Sequence, residues 1–390
     1  MAYPVSSRWD HFTRRGFHPV TRVDVRYPGE GVVYSDLPVS SGSISFSRRS
    51  AVRASGQVVI PDPDLFPGLN DDSVISPYGA ELLVYTGTLY PEGAAHLHRS
   101  REELQDRGLA EFVPMGVFTI WDGDGSERQG NVTTLEFYDR GRLIDEKEHI
   151  IPHDYGGESA FVALNDVLTD PDPFLSGQVT WQVHIDPSLT DIVLPAGTVF
   201  DASRWDFATK VAEALGAEVY FGRDGDIHVV PVPGITEGVA EHDWLIDASP
   251  DGVLADIRRK VSRPEANGVV IVGSTDGDSD PPWAFVVDDN PISRSRYGGP
   301  LGKVVKRFVN SNLTTDAQCD VAALAKLRDK TGLQRSVEFD TFANPAMDPG
   351  DVSLLRSLAG GDEFHLVDGY RYDFRSAAMP CTTRSIQYVE

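Results

Sequence analysis

Alternating aspartates, histidines four residues apart and a glycine-rich stretch ending in lysine are the parts of this chain whose spacing could support chemistry. Asp276-x-Asp278-x-Asp280 opens like a calcium loop, in which alternate oxygens face one cation. Its sixth position is Pro281, where the loop needs glycine, and its twelfth is Val287, where it needs a bidentate glutamate. Asp122-x-Asp124-x-Ser126 fails likewise, with Glu127 and Thr133 at those places, so both segments are expected to be solvated hairpin turns. His149 and His153 have the spacing of a zinc-binding helix, but Pro152 lies between them and disfavours that helix. His96 and His98 belong to a polar, arginine-rich loop, and neither pair is expected to hold metal.

Nucleotide and acyl chemistry fare no better. Gly298-Gly299-Pro300-Leu301-Gly302-Lys303 imitates a phosphate loop, yet Val304 stands where a hydroxyl must reach magnesium, and no clean strand leads into a helix there. Gly157-Glu158-Ser159 is no nucleophile elbow, because Phe161 replaces the glycine that permits its sharp turn. Paired carboxylates are plentiful, but in so acidic a chain their presence discriminates nothing. Cys319 falls in a predicted helix and Cys381 in a terminal loop, which leaves neither a disulfide framework nor a cysteine zinc site. No catalytic, cofactor-binding or metal-binding residue is assigned, no cofactor is expected, and the chain is not expected to be an enzyme.

The charge narrows the partners. The net charge is −24, and residues 1–60 hold eight arginines against four acids, net +4, so the remainder carries −28. Such a body repels phosphates, which argues against sequence-specific nucleic-acid binding. A basic end on an acidic body can dock on an acidic neighbour or simply be solvated. No apolar run approaches the roughly 20 residues of a membrane span. The start, Met1-Ala2-Tyr3-Pro4, lacks the features of a signal peptide, so a soluble protein outside the usual secretory route is expected.

The elements that must position these residues are mostly strands. At 390 residues the chain suggests two to three domains, and 36 glycines with 26 prolines fit a turn-rich fold. Residues 1–20 read as an arm with a short helix opened by Ser7 and closed by Gly16, too short to stand alone. Residues 21–152 contain several short alternating strands, including those around Val23 and Val25, Ile44 and Phe46, residues 81–85, 116–121 and 133–138. That pattern indicates a small barrel or sandwich.

Residues 153–258 read as a mixed α/β domain. One helix presents Phe161, Leu164, Val167 and Leu168, and a second presents Phe207, Val211, Ala214 and Leu215 between Ser203 and Gly216. A hairpin follows, turning through Asp224-Gly225. Residues 259–390 read as a second β domain containing a helix over 316–330. Thr315 and Gln318 have capping-box spacing, Val321, Leu324 and Ala325 form the predicted apolar face, and Gly332 closes the helix. Behind it, Asn344-Pro345-Ala346-Met347-Asp348-Pro349-Gly350-Asp351 must turn the chain between two strands, since its prolines and glycine cannot continue a ladder.

The order of these features resembles a known family. Gly42-Ser43-x-Ser45 runs into Arg48-Arg49-Ser50-Ala51-Val52-Arg53, then Asp62-Pro63, Ser76-Pro77-Tyr78-Gly79-Ala80-Glu81-Leu82 and Gly116-Val117-Phe118-Thr119-Ile120. This is similar to the N-terminal half of minor tail proteins of long-tailed actinobacterial phages. Asp288-Asp289-Asn290-Pro291, the Thr315 helix and residues 344–351 resemble the baseplate hub, or tail-associated, proteins of the tail tip. The resemblance implies a mainly β fold with α+β parts, made of two tube-type β-barrel domains and a mixed α/β decorating domain.

It further implies a structural virion protein at the tail tip, assembled in the host cytoplasm as a homotrimer whose six barrels continue the tail tube. Its implied neighbours are the distal tail protein, the tape measure protein and tip fibres or other minor tail proteins. An acidic lumen would let DNA pass without sticking. Residues 344–351 would then be the hairpin corner of the second barrel, with Asp348 and Asp351 as turn formers. Because the chain ends at Glu390, shortly behind the hub-like region, cell-wall hydrolysis is expected to lie in another polypeptide. The alternatives are a carbohydrate-binding or carbohydrate-cleaving baseplate module, suggested by acidic, Trp-containing loops such as that from Asp276 to Trp283, and a distal tail-type ring protein.

Overall fold

The computed structural model describes residues 3–9, 18–48, 50–66, 73–96, 99–126, 132–146, 153–169, 181–200, 203–232, 242–249, 252–275, 280–330, 334–357 and 361–386. The fold is mainly β with α+β parts, as the sequence leads one to expect. The N-terminal half contains β1 (Pro19–Tyr27), β2 (Gly31–Tyr34), β3 (Ser41–Ser47), β4 (Ala54–Ile60), β5 (Glu81–Leu89), a short helix α1 (Arg101–Asp106), β6 (Ala110–Ser126) and β7 (Val132–Asp139). These strands pair antiparallel in the order β3-β4-β7-β6-β5-β1-β2. Alternation decides which face goes inward: Leu135 and Phe137 of β7 are buried with Val23, Val25 and Phe118.

Residues Asp122, Asp124 and Ser126 belong to β6 and pair with β7, so this stretch is strand where a solvated turn was expected. Phe118 and Ile120 bury the strand on which the acidic stretch rides, and the ladder simply continues through it.

The middle of the chain supplies α2 (Gly141–Asp145), β8 (His153–Asp154), α3 (Ala160–Thr169), β9 (Val183–Ile185), β10 (Val199–Phe200), α4 (Arg204–Ala214), β11 (Ala217–Phe221) and β12 (Ile227–Pro231). Both expected helices form. Ser203 accepts a hydrogen bond from the Asp206 N–H, and Gly216 follows the helix at φ +70°. Helices α3 and α4 share one core with the sheet β11-β12-β9, through Leu164, Val167, Phe207, Val211, Ile227 and Val229.

The last part comprises β13 (Trp244–Asp247), β14 (Leu254–Ser262), β15 (Gly268–Val272), β16 (Trp283–Val287), β17 (Val305–Val309), α5 (Asp316–Lys330), β18 (Gln334–Phe342), β19 (Val352–Ser357), β20 (Gly361–Asp373) and β21 (Ala378–Ile386). The pairing cuts across the boundary expected at 258/259. Strand β13 pairs with β19, and β14, which spans that boundary, pairs with β18, so both complete the C-terminal sheet. Residues 268–330 instead make a separate sheet, β16-β15-β17, with α5 packed on β15 and β16.

The capping box of α5 is present: Gln318 N–H donates to Thr315 Oγ1 and Thr315 N–H to Gln318 Oε1, both at 3.2 Å. Its buried face differs from the expected one. Cys319, Ala322, Ala323 and Leu327 face the sheet, while Val321 and Leu324 are exposed. In β16 it is likewise Ala284 that is buried, and Trp283 and Phe285 are exposed. Small residues on both surfaces let helix and sheet approach closely, so the bulky apolar residues lie outside the contact. Cys381, expected in a loop, is buried inside β21.

One joint makes the two β halves continuous. The leading part of β20 pairs with β19, and its trailing part, from Gly369 to Asp373, pairs with β3. The crossing falls at Gly369, where a Cβ would stand 2.3 Å from the Phe46 carbonyl oxygen. Residues of both halves, among them Val23, Phe118, Phe137, Val337, Tyr372 and Met379, form one core.

Candidate functional site

Contacts from both β halves converge on the β11–β12 turn, residues 222–226. The turn is closed by Gly222 N–H to the Asp226 carbonyl at 2.8 Å and Gly225 N–H to the Gly222 carbonyl at 3.0 Å. Gly225 adopts φ +81°, and a Cβ on it would lie 2.5 Å from Val117 Cγ2. Glycine is therefore needed twice, for its backbone angle and for the turn's close approach to β6.

On the N-terminal side, Arg140 donates from Nη1 to the Gly225 carbonyl at 2.8 Å. Its Nε and Nη2 grip Glu81 Oε1 and Oε2 at 2.6 and 2.7 Å, and Arg26 Nε adds a third bond to Glu81 at 2.8 Å. The Arg140 and Glu81 side chains are 1% and 3% exposed, so this is a desolvated bidentate pair. Nearby, Arg48 and Arg53 both reach Glu218 of β11, at 2.9 and 3.1 Å, and Arg53 lies 3.6 Å above the Tyr220 ring. The Arg-rich segment of the sequence thus fastens the middle domain. Asp139 ends β7 beside this cluster and accepts from the N–H groups of Ala54 and Gly141 at 2.7 and 2.8 Å. Burial pushes its carboxyl up to about 6, because those hydrogen bonds only partly offset desolvation.

On the C-terminal side, Arg223 enters the concavity of residues 344–351. Its guanidinium donates to Asp348 Oδ1 at 2.8 Å and to the carbonyls of Pro345 at 2.6 Å, Pro114 at 3.3 Å and Met347, with Tyr370 Oη at 3.2 Å. Burial works against its charge, but Asp348 and the surrounding acceptors outweigh it, and the guanidinium pKa is raised. Asp351 braces the turn from within: its Oδ2 accepts from Asp348 N–H at 2.9 Å and from Trp244 Nε1 at 2.8 Å. Trp9, fully buried, donates from its indole to Asn344 Oδ1 at 3.1 Å, which ties residues 3–9 to the C-terminal half of the same chain. Gly16 lies outside the described residues.

Asp348 and Asp351 thus act as turn formers, as expected, but the segment is not a hairpin corner. Strand β18 lies between β14 and β21, and β19 between β13 and β20, so residues 344–351 carry a crossover between non-adjacent strands. The physical reason is the arrival of Arg223: a wide turn exposes inward carbonyls that a tight hairpin would use in its own ladder.

The other motifs are structural where described. Ser159 Oγ donates to Asp191 and accepts from Val162 N–H at 3.3 Å, so it caps α3. Gly298 and Gly302, both at positive φ, close a turn that leads into β17 rather than a helix. His98, His149, Asp276, Asp278 and Gly332 lie outside the described residues, while His96 and His153 stand on different elements. A cleft of about 350 Å³ along β14, β18 and β21 is lined by Asp256, Arg258, Glu338 and Asp340. A second, of about 330 Å³, lined by Trp244, Asn344 and Met347, borders the clasp that the 222–226 turn forms with residues 344–351.

Among the described residues, the group that could offer three or more metal-ligand atoms is His184, Asp224 and Asp226, on the outer side of the clasp turn. Sequence spacing could not reveal it, because His184 and the turn are brought together only by β9–β12 pairing. Also among the described residues, no helix is long and apolar enough to cross a membrane.

No protein-family model and no curated protein matches the chain. Its fold is shared with solved phage tail proteins. A tail protein from Neisseria meningitidis superposes with a TM-score of 0.60 at 12% identity, covering 93% of this chain and 96% of that one. The 43 kDa tail protein of prophage MuSo2 from Shewanella oneidensis gives 0.55 at 11% identity, covering 93% and 98%. Prophage tail protein gp18 from Listeria monocytogenes gives 0.53 at 11% identity, covering 95% of each chain.

Proposed function

We propose that this chain is a structural protein of a phage tail, a hub at the tail tip of a long-tailed phage, without enzymatic activity of its own. The observation that carries this reading is the single sheet running through both β halves, locked by the 222–226 turn, in a fold matching tail proteins over nearly its full length. A component at the end of a tail must transmit load between neighbours without hinging. Here the β3–β20 ladder and the buried Arg140 and Arg223 contacts oppose relative movement of the halves.

In this role three subunits close a ring that continues the tail tube, contacting the distal tail and tape measure proteins on one side and fibres on the other. The net charge of −24 suits the wall of a DNA exit channel, since no counterion release rewards phosphate contact. Imaging of intact virions with this chain labelled tests the reading. Density at the tail tip as a three-fold ring with an acidic lumen is expected. Density elsewhere in the tail, a six-fold ring, or binding and cleavage of host glycans by the purified chain would overturn it.

A further inference from the structure

The outer face of the clasp turn carries a set of side chains that the structural role does not use. Parallel pairing of β9 with β12 places His184 beside His228, with ring centroids 5.2 Å apart. Each faces a carboxylate of the turn: His184 Nε2 is 3.0 Å from Asp226 Oδ2, and His228 Nε2 is 2.9 Å from Asp224 Oδ2. The second oxygen of each carboxylate is tied to backbone, Asp226 Oδ1 by Gln182 N–H and Asp224 Oδ1 by Asp226 N–H, both at 3.0 Å. Both carboxylates are thereby oriented before any ligand arrives.

Gly222 completes the arrangement, because a Cβ there would lie 2.7 Å from the His228 ring and from Asp224 Oδ1. A ring nitrogen of His184 and one oxygen each from Asp224 and Asp226 lie within 4.8 Å of one another. Ligands about 2.0–2.2 Å from a tetrahedral ion stand roughly 3.3–3.6 Å apart, so modest side-chain rotation suffices. Imidazole with carboxylate is a donor set for zinc-like first-row metals rather than for calcium or magnesium, which favour all-oxygen shells.

We propose that His184, Asp224 and Asp226 bind a divalent first-row transition metal of the Zn²⁺ type, with His228 as a fourth ligand or as the partner that orients Asp224. Deprotonated carboxylates and neutral imidazoles supply the donors, and a histidine that ligates the ion exchanges its aspartate contact for the metal. The ion would tie β9 to the turn from which Arg223 and Gly225 reach the two β halves, and so would stabilise the clasp from its solvent side.

The test is titration of the full chain with ZnCl₂ by calorimetry, repeated with CoCl₂ for its tetrahedral absorption bands. One saturable site and a raised melting temperature are expected. The double variant His184→Ala/Asp226→Asn should lose the site, and His228→Ala should weaken it by roughly 10- to 100-fold. His153→Ala, at an exposed histidine on β8, should bind like the parent. Absence of saturable binding, undiminished binding by the folded double variant, or equal affinity for Mg²⁺ would overturn the assignment.

Discussion

Arg140 and Arg223 reach the same turn from opposite sides, yet they are held in different ways. Arg140 is neutralised by a carboxylate buried as deeply as itself and spends one N–H on Gly225. Arg223 has a half-exposed carboxylate, Asp348 at 34%, and directs its other donors at backbone carbonyls of two segments. The first is a charge pair whose members depend on each other, and the second is a scaffold for a wide turn. Loss of a partner is therefore expensive at the first and graded at the second.

The largest effect is expected from Glu81→Ala. It removes the carboxylate that neutralises Arg140, at 1% exposure, and that also binds Arg26, so urea midpoints should fall by an amount equal to about 3–5 kcal/mol. An effect below about 1 kcal/mol would show that water reaches this centre and would erase the contrast.

Asp139 is next, as a buried carboxylate held mainly by backbone N–H groups. Its folded pKa of about 6 exceeds the ordinary 3.8, so its protonated form favours folding. The contribution is fully present below about pH 4 and lost as pH rises through about 6, roughly 3 kcal/mol in all. Asp139→Asn cannot titrate, so the fall in stability between about pH 4 and pH 7 should be smaller in the variant than in the parent by that amount.

Arg223→Met keeps the stem and removes the donors. A loss of about 2 kcal/mol is expected, together with faster amide exchange confined to residues 344–351 and the 222–226 turn. Exchange spreading uniformly over the C-terminal sheet would instead make Arg223 a global prop like Arg140. Trp9→Phe should have the smallest effect, about 1 kcal/mol for the lost Asn344 bond with the ring still buried, read from the thermal midpoint.

Legibility in the sequence followed the range of the physics. Capping at Ser203 and Thr315, strands at Val23 and Phe137 and the 316–330 helix depend on neighbours in the chain, and all formed where expected. The buried face of α5 was read inversely, because a periodic stripe says that a face exists but not which surface will meet it. Likewise Asp122 and Asp124 gave a turn-like composition to what is a strand, since β7 supplied the ladder.

The site was barely legible. Asp224-Gly225 could be read as a turn, and Asp348 and Asp351 as turn formers. Nothing local could show that Arg223 enters residues 344–351, that Arg140 meets Gly225, or that His184 stands beside the turn. By itself the sequence determined the mainly β texture, the helix ends, the acidic body and the absence of any complete motif. Only the tertiary structure decided strand order, the β3–β20 joint, the burial of three charge centres and the meeting of His184 with two aspartates. Backbone geometry and capping act over a few residues, whereas strand pairing and desolvation depend on partners tens to hundreds of positions away.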